Sequence, residues 1–226
     1  MLIYTSWQLL LYPSVSGIKI KNIEILIKAA EYINNITNIK SIPYKKLISD
    51  LTTESSPSNE GSLFQLKNAW ATWRPLYCVD ICIYVTEDPR DTVIALKSHD
   101  EYNNVEFFAT HSLLSIPNCS GVVLLAHITC DRIDNENTQM SILVYDVLLQ
   151  DTTSTMESRY SWLKQHENEI RQIKIGKCTV CVQWIGHIET HNMIVNLDLP
   201  HAMGDLVILS ANNGVDRLYT RIDTQQ

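Results

Sequence analysis

Residues 121–151, GVVLLAHITCDRIDNENTQMSILVYDVLLQD, limit the choice of fold more than any other stretch of this chain. They hold two apolar, β-branched runs, Val122–Ile128 and Ile142–Leu149, separated by a polar segment with Asp131, Asp134, Asn135, Glu136 and Asn137. The pattern predicts a hairpin of two core strands with a solvated turn. The first run scarcely alternates, so both of its faces need cover, from a second sheet or from helices. This hairpin is expected at the centre of the sheet.

At 226 residues, 45% hydrophobic and 19% charged, the chain is long enough for one sizeable core. A formal charge of −7 argues against a long nucleic-acid groove, which draws its affinity from clustered Lys and Arg. A short pocket for one nucleotide remains compatible with that charge. With 7 glycines and no Gly-rich phosphate loop, P-loop hydrolysis and ordinary dinucleotide binding are not expected. Six cysteines are too few for a disulfide scaffold. Cys82, Cys130 and Cys181 sit in or beside apolar runs and read as buried thiols in a reducing, intracellular compartment, cytoplasmic or nuclear. The opening MLIYTSWQLLLYPSV has no basic n-region and falls short of the ~20 apolar residues of a membrane span. It is expected to pack on the domain as a strand or helix, with no membrane partner. The Ile- and Asn-rich composition suits an AT-rich genome of viral or protist type.

In chain order, Ile20, Ile23, Ile27, Ala30 and Ile33 recur at helical spacing and predict a helix over 20–34. Tyr44, Leu47 and Ile48 suggest a second, short helix after Pro43. Residues 51–62, LTTESSPSNEGS, read as a loop or linker, dividing a helical preface (1–62) from the main domain (63–226). Leu63–Trp73 reads as a helix with Trp70 and Trp73 on one face, stopped by Pro75. Strands are expected at Tyr77–Thr86, Thr92–Lys97 and Val105–Ala109, the first two joined by a turn at 87–91. After the central hairpin, Thr152–Ile173 reads as one amphipathic surface helix. Strands follow at Lys174–Glu189, Asn192–Leu197, Leu206–Ser210 and Arg217–Ile222. The sum is an α+β fold with mainly antiparallel sheets.

The order of these pieces resembles a known family. A hairpin over 73–96 leads to LLAHITCDRI, then ILVYDVLLQD, then Arg159-Tyr160-Ser161-Trp162-Leu163, and finally LPHAMGDLVILSANNGVDRLYTRI. This is similar to the nucleotidyltransferase core, of ATP-grasp-like architecture, shared by mRNA capping guanylyltransferases and polynucleotide ligases. The resemblance covers roughly residues 70–222, and Leu143-Val144-Tyr145-Asp146-Val147-Leu148 is its best single piece. It implies a nucleotide pocket between antiparallel sheets.

The chain departs from that family where the chemistry lies. Covalent nucleotidyl transfer needs a lysine amine that attacks the α-phosphate, and residues 73–85 contain no lysine. Leu125-Ala126-His127-Ile128 stands where the family has Asp-Gly-Glu, and Gly204-Asp205 replaces the late Glu-Gly. Only Arg217 and Arg221 stand near the place of the family's final lysines. No catalytic residue and no cofactor is therefore expected, and an active enzyme would need a displaced lysine such as Lys67 or Lys97. A non-catalytic branch of this fold, snurportin, binds the methylated cap of small nuclear RNAs. Residues 199–207 are similar to its late strand, and Asn68-Ala69-Trp70 resembles a stretch carrying a cap-contacting tryptophan. A methylated guanine is a cation with a broad π face, suited to aromatic stacking. The resemblance puts Trp70, Trp73, His127, Asp146, Asp205, Tyr219 and Arg221 in or beside the pocket.

Several of these residues also have a structural explanation. Trp70 and Trp73 suit a helix face packed on the sheet, Trp184 suits a strand in the core, and Asp146 could cap a strand end or bond a turn. Cys178, Cys181, His187 and His191 hold zinc-ligand types. A strand would point the two cysteines to opposite faces, so no metal is expected. His111, His127 and His201 with Asp146, Asp205 and Cys130 lack the spacing of a hydrolase motif. Two readings from different classes remain: a protein that binds a nucleotide or RNA cap, and a structural or interaction module of a larger assembly, such as a viral one, with protein partners.

Overall fold

The computed structural model describes residues 69–85, 92–97, 105–109, 122–133, 137–149, 155–183, 185–187, 200–209 and 215–220, together with Ser41–Pro43 and the helical residues Ile27, Glu31, Ile33 and Asn34. The strands are β1 (Ser41–Pro43), β2 (Trp70–Pro75), β3 (Cys78–Val85), β4 (Val93–Lys97), β5 (Val105–Ala109), β6 (Val122–Arg132), β7 (Thr138–Leu148), β8 (Thr179–Val182), β9 (Gly186–His187), β10 (Met203–Leu209) and β11 (Val215–Thr220). Two helices, α1 (Met156–Gln165) and α2 (Glu167–Gln172), follow β7. The class is α+β with mainly antiparallel sheets.

The predicted hairpin is the pair β6 and β7, which lies inside a six-stranded sheet of order β5-β4-β3-β6-β7-β8. Its strands run further than the apolar runs, to Arg132 and from Thr138, because cross-strand pairing continues through Asp131↔Gln139. The first eight residues of β6 are buried without alternation, as the apolar run requires. Fully burying one such Val, Leu or Ile contributes about 1.5–3 kcal/mol. Only β8 runs parallel to its neighbour. The second sheet has the order β1-β11-β10-β2-β9 and is antiparallel except where β1 meets β11. Ile33 joins the hydrophobic core, so the N-terminal part contributes both a core side chain and an edge strand.

Several expectations need correction. The helix expected over 63–73 is, from Trp70 onward, strand β2; residues 63–68 lie outside the described residues. Pairing with β10 and β9, more than a hundred residues away in sequence, supplies the backbone partners that override the three-residue spacing of the tryptophans. On a strand, positions three apart face opposite ways. The helix expected over 152–173 is two helices that break at His166 with no Gly or Pro to mark the break. There the His166 backbone N–H donates to the Trp162 carbonyl, and the His166 ring is stacked on Trp162 at 4.2 Å. Strand 174–189 is likewise divided into β8 and β9. Cys130 is exposed, not buried, because it sits where β6 runs out of the core. The rest of the 20–34 helix, the short helix after Pro43, the linker 51–62, the turn 87–91, Trp184 and strand 192–197 lie outside the described residues, as does the N-terminal stretch 1–15. No helix among the described residues is long and apolar enough to cross a membrane.

The chain passes from one sheet to the other at Leu76-Tyr77, between β2 and β3. The segment preceding β10 is tied across this bend, with the Leu76 N–H donating to the Ala202 carbonyl at 2.8 Å and the Arg132 N–H to the Pro200 carbonyl at 2.8 Å. A Cβ on Gly204 would stand 2.8 Å from Leu76 Cα and 3.1 Å from the Arg74 carbonyl oxygen, so the close approach of the two backbones requires glycine. Gly204→Ala should therefore destabilise the fold by about 1–3 kcal/mol. Urea unfolding would register this as a lower midpoint at unchanged slope.

Candidate functional site

The sheet crossing brings together charged side chains that are far apart in sequence. Asp80 is the one charged residue in the otherwise apolar β3, CVDICIYV. It lies opposite His127 of β6 in the sheet register. His127 Nδ1 is 2.9 Å from Asp80 Oδ1, and the Arg74 guanidinium of β2 donates to Asp80 Oδ2 at 2.6 Å. The register between β10 and β2 slips between Met203 and Leu206. There Asp205 comes within 3.6 Å of the other guanidinium nitrogen. Next to this group His201 Nδ1 meets Asp131 Oδ1 at 2.8 Å. The His127 ring stacks on Tyr145 with centroids 4.3 Å apart.

The electrostatics follow from burial and pairing. Burial pushes the Asp80 carboxyl up, but the His127 hydrogen bond and the nearby Arg74 cation outweigh it and hold the group below its ordinary value. His127 is fully buried, and desolvation drives its imidazole below the ordinary value despite Asp80; Arg74 and His201 act in the same direction as burial. Near neutral pH the pair is thus a carboxylate and a neutral imidazole. An ionised carboxylate can only accept, so Nδ1 carries the proton and Nε2 is left as an acceptor, buried and without a partner among the described residues. Cys78 lies beside Arg74, but burial pushes its thiol up to about 12, so it is no thiolate at neutral pH. Burial also raises Cys178, to about 11, and Cys181. No group of three or more His, Cys, Asp or Glu side chains suited to a metal ion occurs among the described residues.

Asp146 of β7 makes a second buried pair. It sits where the β6/β7 register shifts, with Asp146 opposite Leu125 and Val144 opposite Ala126, so Tyr145 is the extra residue of a β-bulge. Arg159 of α1 donates through Nε to Asp146 Oδ1 at 2.9 Å, and both side chains are fully buried. The Val147 N–H donates to the same oxygen at 2.8 Å. Burial raises the Asp146 carboxyl above its ordinary value against the pull of Arg159 and Val147. This pair fixes α1 to the bulge, a firmer role than a strand-end cap.

With Arg159 turned inward beside Met156 and Leu163, the neighbouring Tyr160 faces β2. Its ring lies 5.0 Å from Trp70, tilted by 41°, and His187 of β9 lies 4.3 Å from Trp70, tilted by 39°. Trp70 Nε1 donates to Glu157 Oε1 at 3.2 Å, and Lys164 Nζ stands 5.8 Å from the Tyr160 ring centroid. Trp70, Tyr160 and His187 are all partly exposed, whereas Trp73 is 2% exposed.

The expected site residues thus separate. His127 and Asp205 belong to one ion-pair chain, joined by Arg74 and Asp80; Asp146 is held by Arg159; Trp70 heads the aromatic group. Trp73 is core. The Tyr219 backbone pairs with Leu206, which also pairs with Trp73, and Arg221 lies outside the described residues. Lys97 ends β4, and Lys67 lies outside the described residues. Arg74, Asp80, Glu157 and the partner role of Arg159 were missed. The lone aspartate in an apolar strand was a legible signal for Asp80, since a carboxylate there needs a partner. Nothing in the sequence signalled Arg74.

Breaking a buried pair leaves one charge uncompensated, so Asp146→Ala should cost about 3–5 kcal/mol, and Asp146→Leu with Arg159→Met should recover most of it in denaturant unfolding. The Asp80–His127 pair also fixes a pH dependence. Below the ordinary histidine value of 6.5 the unfolded chain binds a proton that folded His127 refuses. Stability should therefore fall from pH 6.5 down to the lower folded value, by up to about 1.4 kcal/mol per pH unit. The Asp80 contribution, present above 3.8, should be lost only as pH falls through its own lowered value. His127→Gln should flatten the first of these slopes, which unfolding midpoints across pH 4–8 would measure. No protein-family model matches the chain, and no curated protein matches it.

Proposed function

We infer that the chain is a non-catalytic nucleotide- or RNA-cap-binding protein, built on a degenerate nucleotidyltransferase-type core of snurportin-like character, with Trp70 as its stacking residue. One observation carries this reading: Trp70 is partly exposed and lies among Tyr160, His187 and Glu157. An aromatic surface beside a carboxylate suits a flat base, and a positively charged methylated base most of all. Lys164 stands beside this surface and is already paired with Glu167 Oε2 at 3.1 Å, which leaves too little positive charge for a long strand. The missing lysine motif in 73–85 speaks against covalent transfer. The Asp80, His127 and Asp146 side chains are engaged in internal pairs, which suits a scaffold that holds α1 and β2 in place rather than a reaction centre.

A second reading has an observation of its own. Leu76, Tyr77 and Ile133 are 46%, 69% and 60% exposed. The backbone bonds from Leu76 and Arg132 to Ala202 and Pro200 place the stretches that carry them beside one segment. Exposed apolar side chains so gathered suit contact with another protein in a larger assembly.

Titration of intrinsic Trp fluorescence with methylated-cap and unmethylated nucleotides at fixed salt decides between the two. The nucleotide reading expects saturable quenching, with Trp70→Ala weakening affinity roughly 5- to 150-fold, the equivalent of about 1–3 kcal/mol for one stacked base. Flat curves for every nucleotide would leave the interaction module.

A further inference from the structure

We propose that residues 200–205 form an acid-operated latch over the sheet crossing, lifting locally when His127 takes up a proton while both sheets stay folded. The His127 ring has a place for one proton only. Its Nδ1–H donates to Asp80 Oδ1, and Nε2 is buried with no partner among the described residues. A second proton, on Nε2, makes a cationic N–H with nothing to accept it, so the ring can keep that proton only where water reaches it. The side chains around the ring bring no remedy. Burial opposes a charge there; Asp80 of β3 favours one, but the Arg74 cation of β2 and His201 of the segment itself side with burial. Tyr145 of β7 stacks on the ring without a charge, and Cys78 beside Arg74 is a thiol. Asp205 approaches Arg74 at 3.6 Å, and Asp131 of β6 is bonded to His201.

The segment is attached so that it can lift. From Leu206 onward β10 pairs on both sides, with Trp73 of β2 and Tyr219 of β11. Ahead of Leu206, the register partner among the described residues is Pro75, opposite Met203, and proline has no N–H to donate. Beyond that, the segment is held by the Leu76 and Arg132 N–H groups, each 2.8 Å from a carbonyl oxygen, and by the Asp131 and Arg74 contacts. It can therefore leave the crossing up to Leu206 without breaking either ladder. His201 rides on it, so lifting opens the His127 ring to water and removes one of the groups that oppose its charge. His201 is not itself the trigger. Burial pushes the Asp131 carboxyl up, but hydrogen bonds from His201 and Ser141 outweigh it and hold the group below its ordinary value. A proton on His201 thus meets an ionised partner and tightens the latch. His127 works the latch from beneath, and opening bares the ion-pair cluster beside the exposed Leu76 and Tyr77.

Hydrogen–deuterium exchange of the full chain, followed by NMR from pH 7 to 4.5 and corrected for intrinsic rates, tests this. The Leu76 and Arg132 amides, which donate to the segment, report its lifting, and amides in the middle of β6 and β7 report unfolding of the sheets. Each opening takes up one proton. Opening at Leu76 and Arg132 should therefore rise as pH falls below the ordinary histidine value of 6.5, approaching about tenfold per pH unit. At pH 5 these two amides should open at least about tenfold more often than the middle amides. Low urea should leave their exchange unchanged while accelerating that of the middle amides, because lifting exposes little surface. His127→Gln, whose amide can still donate to Asp80, should abolish the rise, and His201→Gln should keep it. Exchange at Leu76 and Arg132 that matches the middle amides in rate and urea dependence would show global unfolding alone and overturn the latch. So would a rise absent from the parent, retained in His127→Gln or lost in His201→Gln. Should His127→Gln fail to fold, the comparison of amides within the parent and the slope in His201→Gln still decide.

Discussion

An ionised carboxylate inside a β-sheet has to be met by donors, and Asp80 is met from both sheets at once. One of its oxygens faces His127 within its own sheet, and the other takes the Arg74 guanidinium from the sheet the chain has just left. The bond to Arg74 therefore clamps the crossing at Leu76-Tyr77. Asp205, Gly204 and the 200–202 segment close over the same point through the guanidinium, the glycine contact and two backbone bonds. Removing water from such a group is costly unless every partner is in position. The geometry of the crossing is thereby over-determined, and the two sheets are held in one arrangement.

The second buried pair does for α1 what the first does for the sheets. Asp146 projects from a bulge in β7, and the extra residue of that bulge, Tyr145, stacks on His127. The residue next to Asp146 in the chain thus stacks on the histidine of the first pair. Arg159, drawn inward to Asp146, sets the rotation of α1 and so presents Tyr160 and Glu157 to Trp70. Buried Asp146 and Arg159 thus position the more exposed side chains beside Trp70. That separation explains why the polar residues drawn from the nucleotidyltransferase resemblance do not gather in a single pocket.

Much of the sheet architecture was legible. Val122–Ile128 and Ile142–Leu149 could only be core strands, since uninterrupted β-branched runs of that length have to be covered on both faces, and the strands β3, β4, β5, β10 and β11 carried the same local signals. The aromatic site was legible in one residue, Trp70, and only through a resemblance. Its helical context was misread because spacing alone cannot weigh strand pairing with β9 and β10, which arrive late in the chain. The break at His166 left no trace in the sequence because neither Gly nor Pro marks it.

The sequence by itself determined what had to be buried: the apolar runs, a charge balance hostile to long nucleic acid, and the absence of a lysine in 73–85. It also determined, through the aspartates at 80 and 146, that buried charge would need an answer. The tertiary structure alone decided which cation answers each of them. Arg74 and Arg159 are ordinary surface residues by sequence, and only the meeting of two sheets and a helix buries Arg159 fully and Arg74 in part. The same meeting decided that Trp70 stays partly exposed while Trp73 is core, because on a strand three residues is the distance from one face to the other.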